Sequence, residues 1–155
     1  MQHTGVRYEF ETAMGVPQIN AEFEVAGLNG IQLSVGNPQF VVFASDFDFD
    51  WHAAGRAIQS EVSRFPNSTN VDFVRSVDAH TVESRFYERG AGATQSSGTG
   101  SCASAAAAIH KGLARSPVKV IAPGGVQRVR VEAGLLYLEG PAEVICEGEY
   151  LYSGN

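Results

Sequence analysis

The sequence predicts an α+β domain: a curved, mostly antiparallel β-sheet (a half-barrel) wrapped around one central buried helix, with one amphipathic helix outside it. Three observations predict this. Nine or ten short segments alternate apolar and polar residues with the period of a strand, and hairpin-type turns separate most of them. The stretch Ser101-Cys102-Ala103-Ser104-Ala105-Ala106-Ala107-Ala108-Ile109 carries no charge until His110-Lys111, so it lacks a polar face for about three turns and is buried all round. No linker, repeat or low-complexity run divides the chain, so residues 1–155 read as a single domain with a real core. A strongly curved sheet needs something to wrap, and a helix about 24 Å long with no polar face is the only filling on offer.

In order, Val6, Tyr8 and Phe10 alternate with Arg7 and Glu9, a strand that Met14-Gly15-Val16-Pro17 breaks. Ala21, Phe23 and Val25 alternate with Glu22 and Glu24, then Gly27-Leu28-Asn29-Gly30 turns the chain into a strand over 31–35. Asn29-Gly30 is a hairpin signal, and the first third therefore reads as an antiparallel meander. Gly36-Asn37-Pro38 precedes the apolar run 40–43, short enough for a strand buried on both faces. Trp51, Ala54, Ile58, Val62 and Phe65 have helical spacing, so a helix is expected over 51–65, capped by Asp48 or Asp50 and ended by Pro66-Asn67. Strands over 71–77 and 81–87 flank the turn Asp78-Ala79-His80, and a flexible loop over 91–95 leads to the central helix. Beyond Leu113, strands are expected over 118–121, 126–131, 135–138 and 142–146, with Pro123-Gly124-Gly125 and Gly140-Pro141 as turns. Residues 147–152 are a further strand or a tail.

The composition excludes several classes of function. With a formal net charge of −6 and no basic run, nucleic acid and anionic membrane surfaces are not expected partners. No run of about 18 apolar residues marks a transmembrane helix, and Met1-Gln2-His3-Thr4-Gly5-Val6-Arg7-Tyr8 has no secretory pattern. Cys102 and Cys146 make no disulfide framework; both read as small buried hydrophobes, and a reducing, cytoplasmic setting is expected. The four histidines are scattered and no Cys/His spacing resembles a zinc site, so no metal is expected.

Chemistry concentrates around Gly98-Thr99-Gly100. A glycine-rich turn at a helix N-terminus gathers unpaired N–H groups and the positive end of the macrodipole, a ready anion site. The same glycines would also serve a tight strand-to-helix entry with Ser96 or Ser97 as N-cap. Glu88-Arg89, one loop upstream, offers an arginine for a ligand carboxylate and an acid for an ammonium group or proton relay, or else a solvated ion pair. Asn37 and Asn70 supply neutral polar contacts or Asx turns.

The run Tyr87-Glu88-Arg89-Gly90-Ala91-Gly92-Ala93-Thr94-Gln95-Ser96-Ser97-Gly98-Thr99-Gly100 closely resembles the signature of the diaminopimelate epimerase family. The resemblance continues, in the family's order, through Val35-Gly36-Asn37-Pro38, Phe65-Pro66-Asn67-Ser68-Thr69-Asn70-Val71, Ala122-Pro123-Gly124-Gly125 and Gly140-Pro141-Ala142-Glu143. It implies a cofactor-free isomerase of amino acids, in lysine and cell-wall precursor synthesis, built from two pseudo-symmetric domains of which this chain resembles the C-terminal one. The partner is then the missing N-terminal domain, or a second copy of the chain in a homodimer. The resemblance further implies that two cysteines exchange the α-proton across the cleft while the two helix N-termini hold the α-carboxylate.

By position, Gly98 and Thr99 would hold that carboxylate, and Glu88, Arg89, Asn37 and Asn70 the distal groups of a diaminopimelate-like substrate, with Glu88 also near the acid/base residue. The acid/base position itself is Ser97, where the family has cysteine. Gln39 stands where a histidine is expected, and Ala93 where an acid is. A serine hydroxyl is far less acidic than a thiol and needs a dedicated base. The resemblance therefore implies a chain that is inactive alone, with a non-catalytic carboxylate-binding or homodimerising domain as the alternative.

Overall fold

The computed structural model describes residues 7–152; Val6, where the sequence places the start of the first strand, and the rest of the N-terminal stretch read for a leader up to that point lie outside them. The described residues form strands β1 (Arg7–Gly15), β2 (Gln18–Val25), β3 (Leu28–Ser34), β4 (Pro38–Phe43), β5 (Asn70–Asp78), β6 (Thr81–Glu88), β7 (Gly92–Thr94), β8 (Val118–Ala122), β9 (Gly125–Glu132) and β10 (Leu135–Glu143). Helix α1 (Trp51–Ser60) precedes β5, and α2 (Gly98–His110) follows β7. The strands make one sheet in the order β1-β10-β9-β8-β6-β5-β4-β3-β2, which does not close, and β7 pairs with part of β6. The β4–β5 and β6–β8 pairs are parallel and the others antiparallel.

Helix α2 touches β3, β4, β5, β6, β8, β9 and β10. At about 4.8 Å between strands, β3 and β10 would stand about 29 Å apart in a flat sheet, far beyond the reach of a helix about 10–12 Å across. The sheet therefore curls around α2. Small side chains make this possible: Ser101 through Ala108 are all buried, so the sheet closes on the helix from nearly every side. The resulting core joins α2 to Leu33, Val41, Val74, Phe86, Val120 and Leu136. A second cluster on the outer face seats α1 on Phe40, Val42, Val71 and Phe73. Strands β4 and β5 are thus covered on both sides, as the apolar run 40–43 predicts. None of the described helices is long and apolar enough to cross a membrane.

Several expected elements are corrected. The first third is not one meander: β1 pairs along its length with β10 and has no register with β2. The β2–β3 hairpin turns at Ala26-Gly27, whose φ values of 51° and 77° supply the left-handed pair a two-residue turn requires. Asn29 and Gly30 lie inside β3, where Gly30 makes room for the Phe40 ring, 2.4 Å from where a Cβ would be. Helix α1 is capped by Asp50, whose Oδ1 accepts from the Ala53 N–H at 2.8 Å, but it ends at Ser60; Val62 is exposed, and Phe65 reaches the outer core from the turns that follow.

The expected loop over 91–95 contains β7, because Gly90 and Gly92 adopt positive φ and fold the chain back on β6. The two segments split at Gly140-Pro141 are one strand, β10. Its register with β9 ends at Glu139 while that with β1 runs on past Pro141, so the proline sits where β10 has a neighbouring strand on one side only, a place that tolerates it. Cys146, expected in a buried strand, is exposed in a stretch (144–152) without secondary structure, so residues 147–152 are a tail.

Candidate active site at the start of α2

The register builds the site from one face of the sheet. Side chains alternate across a strand, so Gln39 and Val41 of β4, Asn70, Asp72 and Val74 of β5, and Ser84, Phe86 and Glu88 of β6 all point toward α2. Gln39 pairs with Asn70, and continuing the Val71–Tyr87 register places Glu88 opposite Asn70. One polar row therefore runs across three strands at the level where α2 begins, and a second row, Val41–Asp72–Phe86, lies one step deeper.

Helix α2 starts at Gly98 with Ser97 as its N-cap in extended conformation. The Ser97 hydroxyl accepts the Gly100 N–H at 3.1 Å, and the Ser97 carbonyl accepts that of Ser101 at 3.0 Å. The N–H groups of Gly98 and Thr99 have no partner among the described residues, and both residues are half-buried. No acidic residue occupies the first turn to neutralise the dipole. What remains is two free N–H donors at a positive helix end, the arrangement that holds a carboxylate.

The residues singled out in the sequence gather here, though not all as independent ligand groups. The Asn37 amide donates to the Thr99 hydroxyl at 3.3 Å, and its Oδ1 accepts from Gln39 at 2.9 Å, so Asn37 reaches the helix start itself. Asn70 works as a clamp: its amide donates to the Pro38 carbonyl at 3.0 Å and its oxygen accepts the Arg89 N–H at 2.9 Å. Glu88 is half-buried at the end of β6, whereas Arg89 is exposed at the tip of the β6–β7 hairpin, donating to the Asn67 carbonyl at 2.9 Å.

The Gly124 N–H donates to the Gln95 carbonyl at 2.7 Å, and a Cβ on Gly124 would lie 2.8 Å from that oxygen, so the glycine-rich β8–β9 turn locks the strand entering α2. A cleft of about 490 Å³ lined by Gly124, Gly125, Gln127, Gly140 and Pro141 adjoins a smaller one of about 90 Å³ that reaches Ser96. The motifs dispersed along the chain thus converge on the first turn of one helix.

The Cys102 thiol, five residues past Ser97, is fully buried, and burial pushes it up to about 12, so no thiolate is at hand near neutrality. Two residues escaped the sequence reading. Gln127 on β9 accepts the Ser101 hydroxyl hydrogen at 2.7 Å and ties α2 to the cleft. Asp72 is a buried carboxyl beneath the first turn: it is 1% exposed, and burial, with the Glu88 charge as a lesser cause, pushes it well above the usual carboxylate range. The sequence shows only an acid within the otherwise apolar run Val71-Asp72-Phe73-Val74; that it faces α2 comes from the register.

Comparison with known proteins places the chain in a family. The family model described as diaminopimelate epimerase matches residues 31–145. The diaminopimelate epimerase of Clostridium perfringens is 39% identical over 134 residues, which are 86% of this chain and 46% of the relative; that of Burkholderia ambifaria is 41% identical over 123 residues, 76% and 42%. The diaminopimelate epimerase of Parabacteroides distasonis is 33% identical over 147 residues, 90% of this chain and 55% of the relative.

Among solved structures, an epimerase of Pseudomonas aeruginosa, itself assigned by prediction, superposes with a TM-score of 0.61 at 15% identity. It matches 90% of this chain and 59% of its own. A PhzC/PhzF-type phenazine biosynthesis protein of Clostridium difficile gives 0.56 at 9% identity, over 94% and 58%. At such identities the solved structures speak for the fold alone. The chain spans about half the length of the curated relatives it matches, and by its sequence it belongs to the diaminopimelate epimerase family.

Proposed function

We propose that this chain is the carboxylate-binding half of a cofactor-independent amino-acid epimerase acting on diaminopimelate or a close analogue, in lysine and cell-wall precursor synthesis, and that it carries out no proton transfer alone. The observation that supports this most is the pair of N–H groups of Gly98 and Thr99 at the start of α2, unpartnered among the described residues and with no acid in the first turn. They bind and orient the α-carboxylate. The same donors and dipole stabilise the negative charge that grows on it as the α-carbon loses its proton. Glu88 and Arg89 frame the distal side, with Asn70 clamping the chain at Arg89 and Pro38 and Asn37 standing at the helix start beside Thr99. The complementary face comes from a second domain of the family's kind or from a second copy of the chain; a light-scattering mass near 16.5 kDa at high concentration would remove the second option.

The proton carrier is the weak point. Ser97 is 8% exposed and its oxygen is already an N-cap acceptor, so it lacks both the acidity and the freedom of a thiol. That observation favours a second reading, a domain that binds carboxylates without turnover. Two measurements separate the readings: deuterium exchange at the α-carbon of the diaminopimelate stereoisomers, and calorimetry with the same ligands, each for the wild type and Ser97→Cys. Binding by both with exchange by neither supports the non-catalytic domain. Exchange by S97C alone supports the epimerase half, and exchange by the wild type overturns the expected inactivity.

A further inference from the structure

Asp72 has no role in the binding just described, yet it is the carboxyl set deepest under the helix start. Register places it between Val41 of β4 and Phe86 of β6, on the α2 side of the sheet. It is 1% exposed, and its Oδ2 has no hydrogen-bond partner among the described residues. Its Oδ1 lies against the first turn of α2: a Cβ on Gly100 would fall 2.8 Å from it. Glu88, two positions beyond Phe86 on the same face of β6, is its diagonal neighbour across the strands. Among the described residues no cation answers it. The groups on the same face are Gln39 and Val41 on β4 and Ser84, Phe86 and Glu88 on β6, and Gly100 of α2 lies over it, with Ser97 and Ser104 about one turn to either side of Gly100 along the helix, while the Arg89 guanidinium is held at the exposed Asn67 carbonyl.

We propose that Asp72 is the internal acid of this site, a positioning carboxyl held protonated beneath the first turn of α2, where it leaves the helix N-terminus free for a ligand carboxylate. The inference rests on reading the α2 N-terminus as a carboxylate site. An ionised Asp72 would put a negative charge under the same N–H groups and dipole that the ligand needs, and would repel both the ligand and Glu88. A protonated Asp72 adds no charge. Burial without a cation disfavours the anion first, and the Glu88 charge adds to that. Asp72 ionisation and carboxylate binding therefore oppose each other, and the opposition is reciprocal. Where the two anions exclude each other, affinity falls about tenfold for each pH unit above the point at which Asp72 ionises.

The test is a carbon-13 titration of the side-chain carboxyls in the full chain, with Asp72→Asn to assign the signal, alongside calorimetry of meso-diaminopimelate from pH 5 to 8.5. The expected result is an Asp72 carboxyl that ionises well above the ordinary carboxylate range, ligand affinity that declines above its ionisation in the wild type, and D72N affinity flat within about twofold across the same pH span. An Asp72 that ionises within the ordinary carboxylate range overturns the inference, as does the same pH dependence of binding in both proteins. If neither protein binds the ligand, the carboxylate site is overturned and with it the purpose given to Asp72, while the titration still reports its protonation separately. If D72N does not fold, the wild-type titration and affinity profile decide, since decline must set in where the Asp72 signal moves.

Discussion

Replacing Gly100 with alanine measures how closely the sheet presses on the start of α2. A Cβ there would lie 2.7 Å and 2.9 Å from two ring carbons of Phe86 and 2.8 Å from the Asp72 carboxyl oxygen. Ordinary contacts between carbon atoms are about 3.5–4.0 Å, so the methyl group overlaps its neighbours by close to an ångström. Phe86 is 0% and Asp72 1% exposed, so neither can swing into solvent. Overpacking of this kind costs about 1–3 kcal/mol, against a helix-propensity gain of at most about 1 kcal/mol for Gly→Ala. The net expectation is a loss of about 1–2 kcal/mol, and for a chain of this size a fall in Tm of about 3–6 °C.

Gly98→Ala is the matched control, because its Cβ would meet only the far end of the half-buried Leu138 side chain, Cδ2, at 3.0 Å; its stability should stay within about 0.5 kcal/mol of the wild type. Urea denaturation followed by circular dichroism gives both values. A G100A protein as stable as the wild type, or more so, would refute the close approach of β5 and β6 to the helix on which the site's geometry depends.

Three further outcomes are expected. Ser97→Ala removes the N-cap acceptor and should cost about 1 kcal/mol in urea denaturation, while Ser97→Thr should keep most of it; no difference between the two would show that the cap is idle. Asp72→Asn should gain stability over the wild type as pH rises. Between the ordinary carboxyl range and the pH where folded Asp72 ionises, the unfolded chain releases a proton that the folded one keeps, so the wild type loses up to about 1.4 kcal/mol per pH unit that D72N does not. A constant difference between the two stability curves would contradict a raised Asp72. Asn70→Ala should unpin Arg89 and Pro38 together, leaving their N–H and carbonyl without the side-chain partner, at about 1–3 kcal/mol by denaturation and with faster amide exchange at Arg89; unchanged exchange there would contradict the clamp.

How far the sequence could be read depends on how local each cause is. Helix α2 was legible because its message lies in consecutive residues: nine small or apolar side chains without a charge can only be buried, and Ser97-Gly98 marks the start. The apolar run 40–43 was legible for the same reason. The β1–β10 pairing joins residues more than 120 positions apart, and nothing in the alternation of residues 6–10 names its partner strand.

The Asn29-Gly30 signal misled because tertiary packing outranked turn propensity. Phe40 needs the space over Gly30, and Gly27 with Ala26 provides the turn instead. Gly140-Pro141 misled because a proline that would break a central strand is harmless on an edge. At the site, the helix N-terminus and its flanking residues were visible as motifs. Asp72 was not, because its meaning depends on which face of β5 meets α2, and only the register shows that.

The most direct measurement of the central claim is an amide nitrogen–proton correlation spectrum of the chain titrated with meso-diaminopimelate near pH 6.5. A carboxylate seated on the α2 N-terminus predicts saturable shifts led by the Gly98 and Thr99 amides, with smaller ones at Gly100 and at the Asn37 side-chain amide. Gly98 and Thr99 amides that stay in place while the ligand binds elsewhere, or that never move at any ligand concentration, would contradict it.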